Sequence, residues 1–315
     1  MQRVLSTAAL VGLLIATAAA FAITERLKLV KSPIYGTHVA KRISPTCGCA
    51  RGKAGIRVTM RHADDVTVTI RDAERNVVAT VADGQAVPRG EVRFVWDGKT
   101  DAGVRAPDGV YQPEIHLARQ RRTILLPNRI VLDTHPPQVL AADAGRATIS
   151  PDADRVGDTL KISYRFNSPA RAALYLGSRR ILLTRGHKAS GAFTWRGIVG
   201  GKPLRRGSYT LYLGGIDEAG NITKPNARRQ LVVRVRYIQL VRDRIVLKKP
   251  GVRFGVGVDT DAPVYLWRLD GLSGLATDRV LRLHAPAKPG TYPLVVAERG
   301  HSYRATLVVG AGTKK

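Results

Sequence analysis

The chain has 315 residues and a formal net charge of +27, with 44% hydrophobic and 6% aromatic residues. This hydrophobic fraction excludes a wholly disordered chain, and the length allows two or three domains with ordinary cores. The positive charge is uneven, because residues 137–236 contain 18 basic and 6 acidic residues, a net charge of +12. These figures indicate a globular protein of several domains with a strongly basic central part.

The N-terminus contains an uncharged apolar run, Val4–Ile23, behind Arg3. A run of twenty such residues is long enough to cross a bilayer as a helix. Alanines before Phe21 also fit the cleavage site of a signal peptide. We therefore assign residues 1–31 to a signal or anchor helix and its flank. The first reading predicts a single-pass membrane protein with extracytoplasmic domains; the alternative is secretion after cleavage.

The next segment, residues 32–49, is predicted to be a juxtamembrane linker. It contains the only two cysteines of the chain, Cys47 and Cys49, separated by one glycine. An even cysteine count in an exported chain favours disulfides, so the pair is a candidate disulfide. Bridges to another molecule, a labile thiol pair and an idle reduced pair are the alternatives.

From residue 50 onward, short runs such as Ile56–Met60 and Val66–Ile70 alternate apolar and polar residues. This period of two is typical of half-buried β-strands. Similar pairs of runs begin at Leu160 and Val252, which gives a repeat of roughly immunoglobulin size. We predict an all-β chain of tandem immunoglobulin-like sandwiches. The predicted modules are residues 50–136, 137–236 and a divergent 237–310, followed by a tail, 311–315.

One loop pattern occurs twice in nearly full form. Phe94–Tyr111 contains Phe-Val-Trp-Asp-Gly and ends in Asp-Gly-Val-Tyr, and Phe193–Tyr209 repeats the pattern with one residue fewer; Pro289–Tyr292 repeats only its end. Glycine supplies the positive backbone angles of tight turns, while Trp and Tyr suit a sandwich core. The residues predicted to be equivalent are Trp96, Gly98, Gly109 and Tyr111 in the first module and Trp195, Gly197, Gly207 and Tyr209 in the second.

These motifs resemble the bacterial FlgD-type immunoglobulin-like domain, in which Trp-Asp-Gly precedes Asp-Gly-x-Tyr. Ile149–Leu160 is similar to the family's opening Ser-Pro-Asn-Gly-Asp-Gly-x-x-Asp segment, and Ile216–Asn221 is similar to its closing Asp-x-Ala-Gly-Asn turn. The resemblance covers roughly residues 50–235 and implies a sandwich fold. Nothing resembles the hook-assembly part of the flagellar protein, so no flagellar role is implied.

The sequence offers no catalytic residues. Gly98-Lys99-Thr100 resembles the end of a phosphate-binding loop, but Arg93 stands where that loop requires glycine. The histidines are far apart, without the spacing of a zinc site, and no Gly-x-Ser-x-Gly is present. We therefore predict a protein that is not an enzyme.

Asp152, Asp154 and Asp158 are the single candidate metal site, because alternate carboxylates in a loop can converge on calcium. Arg155 opposes this interpretation, since its charge repels a cation and its β-carbon disfavours the turn. The alternative is that these side chains order the turn before the strand at Leu160. Apart from this calcium candidate, no cofactor is expected.

Residues 159–216 contain eleven basic residues and no acidic residue. Two arginine pairs, Arg179-Arg180 and Arg205-Arg206, fall in predicted turns, where they could contact an anionic surface. Charge contacts do not read base sequence, so no sequence-specific nucleic-acid binding is implied. A solvated basic face without a partner is the alternative.

Two functions follow from these patterns. The first is a membrane-anchored envelope spacer or interaction scaffold that binds a protein partner. The second is a polyanion-binding module for cell-wall polymer, anionic lipid or nucleic acid, using the basic second module. Steep dependence of binding on salt would distinguish the second function from the first.

Overall fold

The computed structural model describes residues 11–22, 32–145 and 147–311. Residues 11–22 form a helix within the predicted apolar span, while residues 4–10 and 23 of that span lie outside the described residues. Among the helices described, none is both long and apolar enough to cross a membrane. The chain divides into two compact units, and the boundary falls between Thr134 and His135.

The first unit contains one sandwich with a single core. One sheet has the order β1-β3-β6, and the other has the order β2-β9-β7-β4-β5, with β8 added beside β7. Strand β4 buries every second residue against the facing sheet. The strands are β1 Ile34–Val39, β2 Arg42–Ile43, β3 Ala54–Met60, β4 Asp64–Arg71, β5 Val77–Val87, β6 Gly90–Trp96, β7 Gly109–Leu117, β8 Arg122–Leu125 and β9 Ile130–Leu132; Ala50–Gly52 forms a 3-10 turn.

The second unit begins with a sandwich in which one long strand, β12, serves both sheets. Its first half pairs with β10 and β14, and its second half pairs with β13 and β17. The strands are β10 Val139–Asp143, β11 Thr148–Ile149, β12 Leu160–Leu176, β13 Arg179–Leu183, β14 Lys188–Trp195, β15 Ile198–Val199, β16 Lys202–Pro203, β17 Gly207–Asp217 and β18 Arg229–Val235; Pro225–Ala227 forms a 3-10 turn.

The rest of the second unit forms another sandwich with its own core. Its sheets have the orders β19-β21-β24 and β20-β26-β25-β22-β23. The strands are β19 Gln239–Leu240, β20 Arg244–Leu247, β21 Arg253–Asp259, β22 Tyr265–Leu269, β23 Leu272–Ala276, β24 Val280–His284, β25 Gly290–Glu298 and β26 His301–Val309.

All three sandwiches have the same topology. In each, a short early strand lies parallel to the last strand, as β2 with β9, β11 with β18 and β20 with β26. The other strand pairs of the sandwiches are antiparallel among the described residues. Two antiparallel sheets of this size around one core are the immunoglobulin-like arrangement. The predicted all-β tandem fold is confirmed.

The predicted linker, residues 32–49, is instead part of the first sandwich. Strand β1 pairs with β3, and β2 pairs with β9. Ile34, Val39 and Ile43 are buried in the core. The alternation of apolar and polar residues does not reveal this role, because β2 has only two residues. Cys47 and Cys49 form a disulfide in the loop that follows β2.

Candidate functional site

Three tyrosines, one in each module, make the same contact near the start of a strand. The hydroxyl groups of Tyr111, Tyr209 and Tyr292 each donate a hydrogen bond to the backbone carbonyl four residues earlier, at 2.6, 2.8 and 2.9 Å. Each ring covers the glycine two residues before it; the nearest ring atoms lie 3.8 Å from the β-carbon position of Gly109 and 3.7 Å from that of Gly207. This arrangement is the tyrosine corner of immunoglobulin-like folds, a structural device.

The two motif tryptophans also occupy matching positions. Trp96 ends β6 and Trp195 ends β14, and both are buried. Each indole N–H donates to the backbone carbonyl three residues later, at 2.7 Å for Trp96 and 3.4 Å for Trp195. The ring centroids of Trp96 and Tyr111 are 4.9 Å apart. These contacts place both tryptophans in the core and not on a ligand surface.

The glycine after each tryptophan packs against a proline. A β-carbon on Gly98 would lie 2.3 Å from Cγ of Pro45, and one on Gly197 would lie 3.0 Å from Cγ of Pro151. Both glycines have positive φ angles, 78° and 69°. The Trp-x-Gly sequence therefore holds the loop against the strand that lies parallel to the last strand of the module.

The four arginines of the predicted basic patch have different environments. Arg179 and Arg180 are exposed and begin strand β13, and so do not lie in a turn as predicted. Arg205 is exposed in the loop before β17. Arg206 donates from Nη2 to the carbonyl of Ile238 at 2.7 Å, and its guanidinium lies 4.8 Å from the centroid of the Tyr303 ring. Arg206 therefore helps to join the second and third modules.

The joint between those modules is short and packed. Strand β18 ends at Val235 and β19 begins at Gln239, and Tyr237 and Ile238 between them are buried. The Tyr237 ring stacks on His301 with centroids 3.6 Å apart. Packing on both sides of three connecting residues leaves little freedom for the two modules to rotate.

Four carboxylates meet at the same joint. Asp152 and Asp154 come from the loop between β11 and β12, Asp261 comes from the loop after β21, and Glu298 ends β25. One oxygen atom from each lies within 4.8 Å of the others. The predicted trio is thus corrected: the structure brings together Asp152 and Asp154 but gives Asp158 another role.

Asp158 orders the loop backbone. Its Oδ1 accepts from the N–H of Ala153 at 2.8 Å, and its Oδ2 accepts from the N–H of Arg155 at 2.7 Å. Ala153 and Arg155 have φ angles of 68° and 75°, values that disfavour residues with a β-carbon. The carboxylate of Asp158 therefore holds a strained loop in place, as the turn-ordering alternative predicts.

The environment of the joint carboxylates opposes negative charge. Burial, the neighbouring side chain of Asp152 and the charge of Asp261 raise the pKa of Glu298 to about 7. Burial also raises the pKa of Asp154, to which Asp152 and Asp158 add, while Arg299 acts in the opposite direction. Burial likewise raises the pKa of Asp261. The cluster therefore favours a proton or another cation.

Sequence reasoning missed Asp261 and Glu298. Asp259-Thr260-Asp261 repeats the Asp-x-Asp spacing of residues 152–154, a signal that could have drawn attention to Asp261. Glu298 follows an apolar strand and gives no such signal. Both belong to another module than Asp152, so the site exists only through tertiary packing.

The fold and these motifs define a tandem immunoglobulin-like β-sandwich protein. Residues 44–120 match the family model of the FlgD Ig-like domain, in agreement with the resemblance that the sequence motifs predict. No curated protein sequence matches the chain.

Two of the similar solved structures are the following. The Clostridium thermocellum CbhA fibronectin(III)-like modules are 13% identical, with 64% of this chain and 93% of that chain covered and a TM-score of 0.35. The I9–I11 tandem from titin is 11% identical, with 88% of this chain and 100% of that chain covered and a TM-score of 0.33.

Proposed function

We propose that this protein is a non-enzymatic, membrane-tethered scaffold whose immunoglobulin-like modules act outside the cytoplasm as an envelope spacer or interaction arm. The packed joint at Tyr237 and Ile238 carries this proposal, because a spacer must resist bending between its modules. The apolar run Val4–Ile23 supports the tether, and residues 11–22 within it are helical. Immunoglobulin-like modules supply surfaces for binding and need no catalytic residue.

Protease treatment of intact spheroplasts tests this topology. We expect externally added protease to digest the modules of the full-length protein, and the undigested protein to sediment with membranes. A matched variant that lacks residues 4–23 should remain protected inside the cell. Full protection of the wild-type modules would contradict the proposed topology. A soluble product beginning near Phe21 would contradict the tether and indicate a cleaved signal.

A second candidate function is binding of an anionic polymer by the second module. The observation in its favour is the absence of acidic residues between Asp158 and Asp217, where eleven basic residues occur. Arg179 and Arg180 suit a test of this function, because they are adjacent and both are exposed. Arg206 is a poor choice for a test, since changing it would also disturb the joint.

Charge reversal of one arginine pair tests polymer binding. We expect Arg179→Glu with Arg180→Glu to weaken binding of the full-length protein to soluble polyglycerol phosphate at least about tenfold, since each basic residue near an anionic surface contributes roughly 1 kcal/mol. The matched control is Arg121→Glu with Arg122→Glu, another exposed pair at a hairpin in the first module. If both double variants lose the same binding affinity, or if binding does not depend on salt, the second module does not bind the polymer through this arginine pair.

A further inference from the structure

Four carboxylates lie close together at the joint. The four contributed oxygen atoms, from Asp152, Asp154, Asp261 and Glu298, all lie within 4.8 Å of one another. The loop that carries Asp152 packs closely against Asp261, since a β-carbon on Gly157 would lie 2.4 Å from Oδ2 of Asp261. Such proximity of like charges is unfavourable unless a positive charge compensates for it.

Glu298 provides an independent observation. Its side chain is 7% exposed, and its Oε2 accepts a hydrogen bond from the hydroxyl of Thr260. Its Oε1 is buried and has no hydrogen-bond partner among the described residues, and the same holds for Oδ2 of Asp154. A buried carboxylate oxygen without a partner is costly, so two of them in one cluster indicate a missing ligand.

Neighbouring protein groups supply little positive charge to balance the four carboxylates. Arg299 is adjacent to Glu298, but its Nη1 donates to the backbone carbonyl of Ala153 at 3.2 Å. One guanidinium cannot balance four carboxylates. The missing ligand must therefore be positive and small enough to fit among four oxygen atoms.

We propose that Asp152, Asp154, Asp261 and Glu298 bind one Ca²⁺ ion between the second and third modules. Calcium binds oxygen at 2.3–2.6 Å, so oxygens on opposite sides of the ion are roughly 4.6–5.2 Å apart, and four oxygens within 4.8 Å of one another can surround such an ion. Magnesium requires shorter distances and retains its water, and zinc prefers nitrogen and sulfur ligands. Four hard carboxylates therefore select calcium.

Hydrogen bonds within the loop fix the positions of Asp152 and Asp154. Oδ1 of Asp154 accepts from the N–H of Val156 at 2.6 Å, which directs the other carboxylate oxygen of Asp154 away from the loop backbone. Asp158 fixes the same loop through its two backbone contacts. Because two ligands come from each module, the ion would tie both modules together.

Thermal unfolding of the full-length protein in detergent micelles, after treatment with a chelator, tests the site. We expect millimolar CaCl2 to raise the Tm of the second and third modules by about 5 °C, because a ligand that binds only the folded state stabilises it. For a folded unit of about 150–250 residues, each kcal/mol of added unfolding free energy raises the Tm by roughly 2–4 °C. Equimolar MgCl2 should give a much smaller shift. Titration calorimetry with CaCl2 should show one ion per chain.

Two ligand variants and one control make the test specific. Glu298→Gln and Asp261→Asn should each weaken calcium binding at least tenfold and remove the shift in Tm. Glu298→Gln should still fold, because it removes a buried charge. Asp270→Asn is the matched control, since Asp270 is exposed in a turn of the same module; its calcium response should equal that of the wild type. No calcium-dependent shift in the wild type, or an equal shift in Glu298→Gln, would overturn the proposal.

Discussion

Gly98→Ala will destabilise the first module by about 3 kcal/mol. The new β-carbon would lie 2.3 Å from Cγ of Pro45, whose ring cannot rotate away, and Gly98 has a φ of 78°. The left-handed conformation costs an alanine about 1–2 kcal/mol, and the forced repacking adds about 1–3 kcal/mol. Urea unfolding, monitored by the fluorescence of Trp96, measures the loss of unfolding free energy. The experiment uses a chain with Trp195→Phe and Trp267→Phe, so that Trp96 is the one remaining tryptophan.

Gly103→Ala separates the cost of the left-handed backbone from the cost of the contact with Pro45. Gly103 lies in the same loop with a φ of 74°, but nothing surrounds its β-carbon position within 4 Å. This variant should lose only the cost of the left-handed conformation, about 1–2 kcal/mol. If both alanine variants lose the same free energy of unfolding, the contact with Pro45 does not hold the loop.

Asp64→Ala should also destabilise the first module by about 3 kcal/mol. Asp64 is 1% exposed. Its Oδ1 accepts from the N–H of Arg119 at 2.9 Å, and its Oδ2 accepts from the side-chain amide of Gln120 at 3.0 Å. The alanine removes the acceptor of both donors, and each lost bond to a charged group is worth about 1.5–3 kcal/mol. Asp65→Ala is the matched control; it removes an exposed ion pair with Arg119 and should cost less than about 1 kcal/mol.

The contribution of Asp64 should depend on pH. Burial alone would raise the pKa of Asp64, but hydrogen bonds from Arg119, Gln120 and Asp65 outweigh burial and lower it. A pKa lower in the folded than in the unfolded state gives stability that is complete above the unfolded value and is lost as pH falls. The difference in unfolding free energy between wild type and Asp64→Ala should therefore shrink below about pH 4. A difference that stays constant from pH 7 to the acid range would contradict this role.

The sandwich fold was predictable because its causes are local. Alternation over Ile56–Met60 and Val66–Ile70 places apolar residues on one face of a strand. Trp96 and Tyr111 mark the ends of strands, and their partners lie within four residues along the chain. Interactions between residues so close in sequence leave a pattern that can be read without the structure.

The start of the first module was missed although the sequence contains a signal for it. Ile43-Ser44-Pro45 is repeated as Ile149-Ser150-Pro151. Both segments supply the proline that meets the glycine of the loop motif. Comparing the two tripeptides would have placed residues 43–45 inside a module.

The joint could not be predicted in the same way. Arg206 follows Arg205 in the same loop, and only packing of the third module gives it Tyr303 as a partner. Glu298 lies more than a hundred residues from Asp152. Contacts at such separation depend on how two folded surfaces meet, which no short motif records.

The parallel pairing of an early strand with the last strand has a mechanical consequence. When tension draws the ends of a module apart, such strands slide past each other, so their hydrogen bonds bear the load together and do not break one by one. β2 with β9 and β11 with β18 each have two residue pairs in this arrangement, whereas β20 with β26 has four. Under equal tension, we therefore expect the parallel strand pair of the third module to resist separation more than those of the other two.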